Sequence, residues 1–217
     1  MYKSIIKRLL DFCLALLAIV LLSPVLLIIA LLVRVKLGAP VLFAQKRPGK
    51  DEKLFTIFKF RTMTNDCCAR GVLLDDSMRI TRFGKMLRST SLDELPQLIN
   101  IVKGDMSFVG PRALLVEYLP YYSNKERGRH AVRPGVTGLA QVQGRNMLKW
   151  EDRFMFDLDY VDSVSFGLDL SILLRTVGVV LRRQNVLHRD SIPLDIGFDN
   201  LDNERRKEIE VDTSKPV

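Results

Sequence analysis

Residues 13–33 read CLALLAIVLLSPVLLIIALLV, an apolar run without a charge, interrupted only by Ser23 and Pro24. As a helix rising about 1.5 Å per residue it reaches about 31 Å, enough to cross the hydrocarbon of a bilayer. Lys3, Lys7 and Arg8 precede it, as in a secretory signal peptide, but Arg34, Val35 and Lys36 follow it instead of a small-residue cleavage site. The run is therefore expected to be retained. Pro24 cannot donate to the carbonyl of Val20 and its ring crowds that turn, so a helix through it should bend, with the Ser23 hydroxyl available to the freed carbonyl. Lys46, Arg47 and Lys50 add to Arg34 and Lys36 on the far side of the run. With basic residues at both ends, both ends prefer the cytoplasm. A single spanning helix and a helix-break-helix that enters and returns on one face both stay open on these residues.

The remainder of the 217 residues has the apolar proportion of an ordinary soluble domain, which excludes a polytopic membrane protein. Thirty-three Lys and Arg against twenty-five Asp and Glu give a net charge of +8, which implies anionic company: phosphates, nucleic acid or acidic lipid. Cys13 lies in the apolar run, and Cys67 and Cys68 are adjacent, a poor disulfide framework that points to a reducing, cytosol-facing body. Two histidines, His130 and His188, without Cys-x-x-Cys or His-x-x-x-His spacing, are too few for a zinc site, so a metal here would be held by oxygen.

Beyond the run, residues 36–40 form a linker, and Val41–Ala44 and Leu54–Phe60 form short strands around the turn Arg47-Pro48-Gly49-Lys50. Residues 65–76 read as a loop and 86–102 as mostly helical. Arg133-Pro134-Gly135-Val136-Thr137-Gly138 reads as a turn leading into a strand. Trp150–Val164 and Phe166–Arg183 have helical periodicity. In the second, Asp169, Arg175, Arg182 and Arg183 forbid crossing but permit a helix lying in the membrane interface or a buried core helix. From His188 onward the chain is a polar, mobile tail. The fold class is α+β: a membrane helix followed by a small, mostly helical domain with short strands.

Chemistry concentrates at Ser91-Leu92-Asp93-Glu94-Leu95-Pro96-Gln97-Leu98, two adjacent carboxylates where a helix should start. One reading is a capping box, with Ser91 capping and Glu94 reaching back. Pro96 fits it poorly, because it would then be the fifth helical residue, whereas a start near Leu95 leaves both acids outside the regular hydrogen bonding. Bases recur in short motifs around these acids: Lys59-Phe60-Arg61-Thr62-Met63, Arg88, Gly110-Pro111-Arg112 and Gly144-Arg145-Asn146. His130 reads as a hydrogen-bonded structural histidine. No Gly-x-Gly-x-x-Gly and no Walker loop is present, so neither a Rossmann nor a P-loop cradle holds a nucleotide. Asp157-Leu158-Asp159 has the Asp-x-Asp spelling that metal-dependent glycosyltransferases use.

Taken in order, Ser23-Pro24, Lys59-Phe60-Arg61-Thr62-Met63, Leu92-Asp93-Glu94-Leu95-Pro96-Gln97, Gly104-Asp105-Met106-Ser107, Val109-Gly110-Pro111-Arg112, Arg133-Pro134-Gly135-Val136-Thr137-Gly138 and Gly144-Arg145-Asn146 make a pattern that single motifs do not. Over residues 2–183 the chain resembles the bacterial monotopic phosphoglycosyl transferases, most closely the minimal PglC-type members. Ala113 departs from the family's usual second proline after Arg112, which bears on loop rigidity.

The resemblance implies a re-entrant anchor over residues 1–36, broken at Ser23-Pro24, a cytosolic catalytic domain over 37–187 with interfacial amphipathic helices, and a tail over 188–217. It implies transfer of a sugar 1-phosphate, of an N-acetylated amino sugar, from a UDP-sugar to undecaprenyl phosphate with release of UMP. Asp93 would be the nucleophile, forming an acyl-phosphate in a ping-pong reaction. Glu94 would assist the lipid phosphate or, with Asp93, hold Mg²⁺. Lys59, Arg61, Arg88, Arg112 and Arg145 would bind the phosphates and nucleotide. The expected partners are the UDP-sugar, undecaprenyl phosphate, the phospholipid bilayer and later enzymes of the same glycan pathway, with no nucleic acid. The expected place is the cytoplasmic face of the bacterial inner membrane, in glycoconjugate assembly such as protein glycosylation. Two other readings stay in view: a metal-dependent glycosyltransferase using Asp157 and Asp159, and a basic membrane-tethered adaptor in which Asp93-Glu94 only caps a helix.

Overall fold

The computed structural model describes residues 2–68, 71–144, 148–181 and Leu201. A π-helical turn, Tyr2–Ile6, leads into α1 (Lys7–Leu37). The predicted helix-break-helix is a single element here: α1 runs through Pro24 without a loop. The Ser23 hydroxyl donates to the Val20 carbonyl at 2.8 Å, the carbonyl that Pro24 cannot serve, and this replacement lets the helix continue.

β1 (Leu42–Pro48) and β2 (Leu54–Phe60) form an antiparallel hairpin in register Leu42 to Phe60 and Pro48 to Leu54. α2 (Asp76–Arg79) and α3 (Arg82–Ser89) follow. The helix predicted over 86–102 is two helices, because Ser91 is left-handed (φ 57°) and Pro96 starts a new one, α4 (Gln97–Lys103). β3 (Ser107–Val109) pairs in parallel with β4 (Gly135–Thr137), the strand expected after Pro134. Between them lie a 3₁₀ run, Val116–Tyr121, then α5 (Asn124–Arg127) with a Ser123/Glu126 capping box, and a second 3₁₀ turn, Gly128–Ala131. α6 (Leu139–Gln143), α7 (Trp150–Ser163) and α8 (Phe166–Leu181) complete the order.

α1 is the spine of this arrangement. Ala15, with Ala18, Ile19 and Leu22, packs on Ile57, Leu98, Ile101 and Met106. Ile29 and Val33, with Leu26, Ala30 and Leu37, pack on Phe60 and Leu87. Positions 11, 15, 18, 22, 26, 29, 33 and 37 recur at helical spacing, so one stripe meets the body along almost the whole helix. Most of the rest of the circumference is apolar and exposed, from Leu9 and Leu17 to Leu27 and Val35, with the exposed Arg34 and Lys36 in the last turn. Polar ties hold the N-terminal end: Arg8 donates to the Ile101 and Val102 carbonyls (2.6 and 2.8 Å) in the last turn of α4, and Asp11 accepts from the Phe108 amide. Lys7, Tyr2 and Tyr160 all reach the buried Asp169 of α8. Gly104, at φ 91°, ends α4 where a Cβ would stand 3.0 Å from the Arg8 guanidinium.

The other cores form on α7, whose inward residues Trp150 and Phe154 pack with Leu114, Tyr118 and Tyr122. Leu201 is fully buried in this same cluster, so the one described residue of the predicted mobile tail is a packed one; the remainder of 188–217 lies outside the described residues. α8 buries Asp169 and Ile172 and exposes Phe166, Leu170, Leu174 and Val177.

Asn100, with no exposed surface, joins α4 to the hairpin: its Oδ1 accepts from the Phe58 amide (3.1 Å) and its Nδ2 donates to the Thr56 carbonyl (2.7 Å). Asn100→Ala would strand both backbone groups, at a cost of about 2 kcal/mol or more. Its melting temperature should fall by about 5 °C or more; an unchanged midpoint in a thermal melt would mean that α4 does not depend on this side chain.

Candidate active site

The two acids sit in a 3₁₀ turn, Leu92–Glu94, between α3 and α4. Leu92 and Leu95 turn inward onto Ile29, Val33, Phe60 and Leu87, and this fixes the turn with its carboxylates on the other side. The capping-box reading fails, because Ser91 makes no side-chain cap and Glu94 reaches away from it. Instead Pro96 stands at the start of α4 and leaves both acids outside the regular helix.

Glu94 Oε1 accepts from Lys59 Nζ at 2.7 Å and from Arg112 Nη2 at 2.9 Å. Lys59 comes from the end of β2, and Arg112 from the chain just after β3. Three elements far apart in sequence thus converge on one carboxylate oxygen. Burial alone would raise the pKa of Glu94, but Lys59 and then Arg112 overcome it and hold the group well below the usual carboxylate range. Asp93 has the opposite fate. It is 8% exposed and accepts no hydrogen bond from the described residues. Burial, and then the Glu94 charge, push its pKa up to about 6, against the opposing pull of Lys59, Arg88 and Arg112. Such a carboxylate is half ionised near pH 6 and is a stronger nucleophile than an ordinary aspartate.

Arg88 is held beside the dyad by Thr62, whose hydroxyl accepts from its Nε at 2.9 Å. α3 approaches closely enough for this because residue 84 is glycine; a Cβ there would lie 1.8 Å from the Thr62 carbonyl. Arg112 is braced from behind. Arg129 donates to the Arg112 carbonyl (2.8 Å) and, through Nε and Nη2 (2.9 and 2.6 Å), to Asp157 Oδ2. Both side chains of this pair are 2% exposed.

The structure therefore brings together Asp93, Glu94, Lys59, Arg88 and Arg112, all named from sequence. Arg61 goes elsewhere: its buried guanidinium donates to the Ala39 carbonyl after α1, not to either acid. Arg145 lies outside the described residues. The Asp157/Asp159 metal reading is overturned, since Asp157 is buried against Arg129 while Asp159 is exposed on α7. Among the described residues no group of three or more His, Cys, Asp or Glu is arranged to hold a metal. Sequence reasoning missed Thr62, though it sits within the Lys59–Met63 motif, and Arg129, which nothing local marks.

The site thus pairs a buried carboxylate that accepts no hydrogen bond among the described residues with a second one that collects cations. The whole constellation falls within residues 2–183, which match the family described as bacterial sugar transferase. The chain belongs to this family. It is 49% identical over 182 residues to the uncharacterized sugar transferase EpsL of Bacillus subtilis, covering 84% of this chain and 90% of that one. It is 41% identical to the exopolysaccharide production protein PSS of Rhizobium leguminosarum, covering 82% and 96%. It is 43% identical to the UDP-glucose:undecaprenyl-phosphate glucose-1-phosphate transferase of Klebsiella pneumoniae, covering 81% of this chain but 40% of that longer protein. The bacterial sugar transferase match thus spans nearly all of two relatives and less than half of the third.

In this sugar transferase Asp157→Ala leaves the Arg129 charge buried and unpaired, which should cost about 3–5 kcal/mol. The double variant Arg129→Leu/Asp157→Leu should recover much of that stability without recovering turnover, because the Arg112 backbone has lost its brace. Thermal melts and turnover of both variants measure this; full activity in the double variant would show that the brace does not position Arg112.

Proposed function

We propose that this bacterial sugar transferase moves a sugar 1-phosphate from a UDP-sugar to undecaprenyl phosphate, through a covalent intermediate on Asp93. The observation that carries the proposal is the division of labour at the dyad. Glu94 takes the cations, and Asp93 is left buried and reactive, with no hydrogen bond among the described residues. Relatives named as UDP-glucose:undecaprenyl-phosphate glucose-1-phosphate transferase and as undecaprenyl-phosphate galactose phosphotransferase supply the substrate class.

In the first half-reaction an Asp93 carboxylate oxygen attacks the β-phosphorus of the UDP-sugar. The bond from that phosphorus to the bridging oxygen breaks, and UMP departs with the electron pair. Lys59, Arg88 and Arg112 surround the point where the diphosphate charge must sit. In the second half-reaction an oxygen of the lipid phosphate attacks the same phosphorus and the Asp93 carboxylate is released. A phosphate monoester, with its second pKa near about 6, is largely dianionic at pH 7 and needs little help from a base. Glu94, tied to two cations and strongly acidic, is a poor base, which supports its role as the group that positions Lys59 and Arg112.

Mg²⁺ fits the donor set as a cation shared between protein and substrate. Asp93 and Glu94 would hold it, in the one- or two-carboxylate mode typical of this ion. When bound it would neutralise charge on the diphosphate.

The packing of α1 supports a monotopic placement, which we assign to the inner face of the bacterial membrane; the re-entrant path expected from the resemblance gains no support from the continuous helix. Both halves of the helix lie on one folded body, so upright passage through about 30 Å of hydrocarbon would drag that body's polar surface into lipid. Immersion from one side submerges only the exposed apolar face of α1. The exposed stripe Phe166, Leu170, Leu174 and Val177 of α8 continues that face, with the Phe166 ring 6.1 Å from Tyr2 at the start of the chain. The donor is proposed to be an N-acetylated amino sugar, on the strength of the resemblance to minimal PglC-type enzymes; the relatives cited above carry glucose or galactose in their names.

Incubating the full chain with Mg²⁺ and, in turn, UDP-N-acetylglucosamine, UDP-glucose and UDP-galactose, without lipid acceptor, should give one sugar-phosphate adduct by intact mass spectrometry. The acetamido sugar should label fastest, and Asp93→Asn should not label at all. An adduct that persists in Asp93→Asn defeats the mechanism. The kcat/KM for the UDP-sugar should rise with pH up to about 6, where Asp93 becomes ionised, and then level off. Above about pH 7, where Asp93 is ionised in both proteins, Glu94→Gln should slow turnover by a factor that does not change with pH; a loss that shrinks as pH rises further would instead make Glu94 a base.

A further inference from the structure

α8 has two faces of opposite character. Phe166, Leu170, Leu174 and Val177 stand between 45% and 65% exposed and recur at helical spacing, so they form one apolar stripe on its outer side. The stripe continues the side of α1 placed in lipid above, and Lys7 of α1 is ion-paired to Asp169 of α8 at 2.7 Å. A phospholipid bilayer is the partner that fits such a continuous face.

The inner face of the same helix rests on the strand pair that leads to Arg112. Ile172, 1% exposed, packs with Val109 of β3 and Tyr160 of α7, and the Thr176 hydroxyl meets the Thr137 hydroxyl of β4 at 2.7 Å. Buried Asp169 makes a further joint. Its Oδ2 accepts from the Tyr2 hydroxyl (2.5 Å) and from Lys7 Nζ (2.7 Å), and its Oδ1 lies 2.7 Å from the Tyr160 hydroxyl. That hydroxyl also lies 3.0 Å from the Val109 carbonyl oxygen. It has one proton for two acceptors. The carboxylate is the stronger acceptor, so the place of Asp169 decides how firmly Tyr160 holds Val109.

Between Val109 and Arg112 the chain has no slack. A Cβ on Gly110 would stand 2.4 Å from the Arg133 carbonyl oxygen, and the Gly110 amide donates to the Thr137 carbonyl at 2.9 Å. Pro111 has a fixed φ, and its carbonyl accepts from the Gly135 amide at 3.0 Å. A displacement of Val109 is therefore passed to the Arg112 backbone instead of being absorbed by a loop. Arg112 in turn donates to Glu94 at 2.9 Å, beside Asp93.

We infer that α8 is a lipid-contact sensor for the active site: seating its stripe in the bilayer fixes Asp169, and Tyr160 passes that position to the strand that ends in Arg112. Tyr160 is then a positioning residue for the donor phosphates, acting through Arg112. The inference rests on the proposed use of a UDP-sugar and on the proposed membrane placement, and it adds to them a dependence of donor binding on lipid contact. Its basis is linkage. Lipid that binds the seated α8 better than a displaced one favours the Arg112 geometry coupled to it, and a bound diphosphate favours seating by the same factor.

The test uses the full chain in nanodiscs of phosphatidylcholine and phosphatidylglycerol, and reads labelling of Asp93, without lipid acceptor, by the UDP-sugar that labels the parent fastest. Tyr160→Phe keeps the buried ring and removes the hydroxyl. Leu170→Ser/Leu174→Ser makes the stripe polar and leaves α1 in the disc. Each should raise the KM for the UDP-sugar about fivefold, with the labelling rate at saturation within about twofold of the parent. Combined, they should raise KM no further than either does alone, because both break one chain of contacts. Effects on KM that multiply overturn the inference. So does a KM within about twofold of the parent in either variant, whatever its melting midpoint, since a purely structural Tyr160 would shift the midpoint alone. If one variant fails to fold or leaves the disc, the KM of the other decides. A parent protein that forms no adduct with any UDP-sugar defeats the underlying function instead.

Discussion

The site depends on two neighbouring carboxylates being made electrostatically different. Asp93 and Glu94 share one turn and one set of cations, yet one is acidified and the other is made hard to ionise. Chain length and direction make the difference. The longer Glu94 side chain reaches the Lys59 ammonium and the Arg112 guanidinium and absorbs their hydrogen bonds, while Asp93 is buried in their field without contact. A regular helix would not place the two acids in this way. Left-handed Ser91 and Pro96 suspend helical hydrogen bonding across the dyad, and strain of this kind survives only where its surroundings enforce it. Leu92 and Leu95, locked into the core beneath α1, are that enforcement.

The same core explains why anchor and catalytic body are one folding unit. Among the described residues α1 supplies part of two hydrophobic clusters, and those clusters carry β2 and α3, which hold Lys59 and Arg88, and Leu92 and Leu95, which flank the dyad. Residue 36 therefore marks no change of core, since α1 shares its clusters with the elements that follow it. In the proposed membrane placement, α1 would thereby fix the height of the acids relative to the lipid surface without a separate linker, which suits the proposed reaction between a soluble nucleotide and a headgroup phosphate.

What could be read from the sequence followed local pattern. The hairpin, the strand after Pro134, the limits of α7 and the departure of Asp93-Glu94 from regular helix all come from turn residues and periodicity within a few positions, although β1 runs past the expected Ala44 and takes Arg47 and Pro48 of the expected turn into its pairing with β2. Five of the seven named catalytic and phosphate-site residues meet at the dyad for the same reason: they lie in compact motifs. What stayed hidden depends on pairing across long separations. Arg129 and Asp157 are 28 positions apart, and Asn100 reaches 44 residues back to Thr56. A charge in a motif does not reveal its direction either, which is why Arg61, two residues from Lys59, was expected at the dyad and points to Ala39. Pro24 signals a broken helix by its own chemistry, and the Ser23 hydroxyl undoes part of that signal.

Charge balance connects the architecture to the order of events. With both acids ionised, Lys59, Arg88 and Arg112 leave the dyad one positive charge in excess, too few for an incoming diphosphate. With Asp93 protonated the excess is two, so binding is easiest in the state that cannot attack. A pKa near 6 places Asp93 between these demands: the proton is held loosely enough to leave at neutral pH, and the carboxylate that results is poorly solvated and reactive. Had Asp93 shared the hydrogen bonds that Glu94 receives, it would ionise readily and attack weakly. Lys59 and Arg112 are therefore most useful hydrogen-bonded one residue away from the nucleophile, where they can bind the phosphate without quenching the oxygen that must reach it.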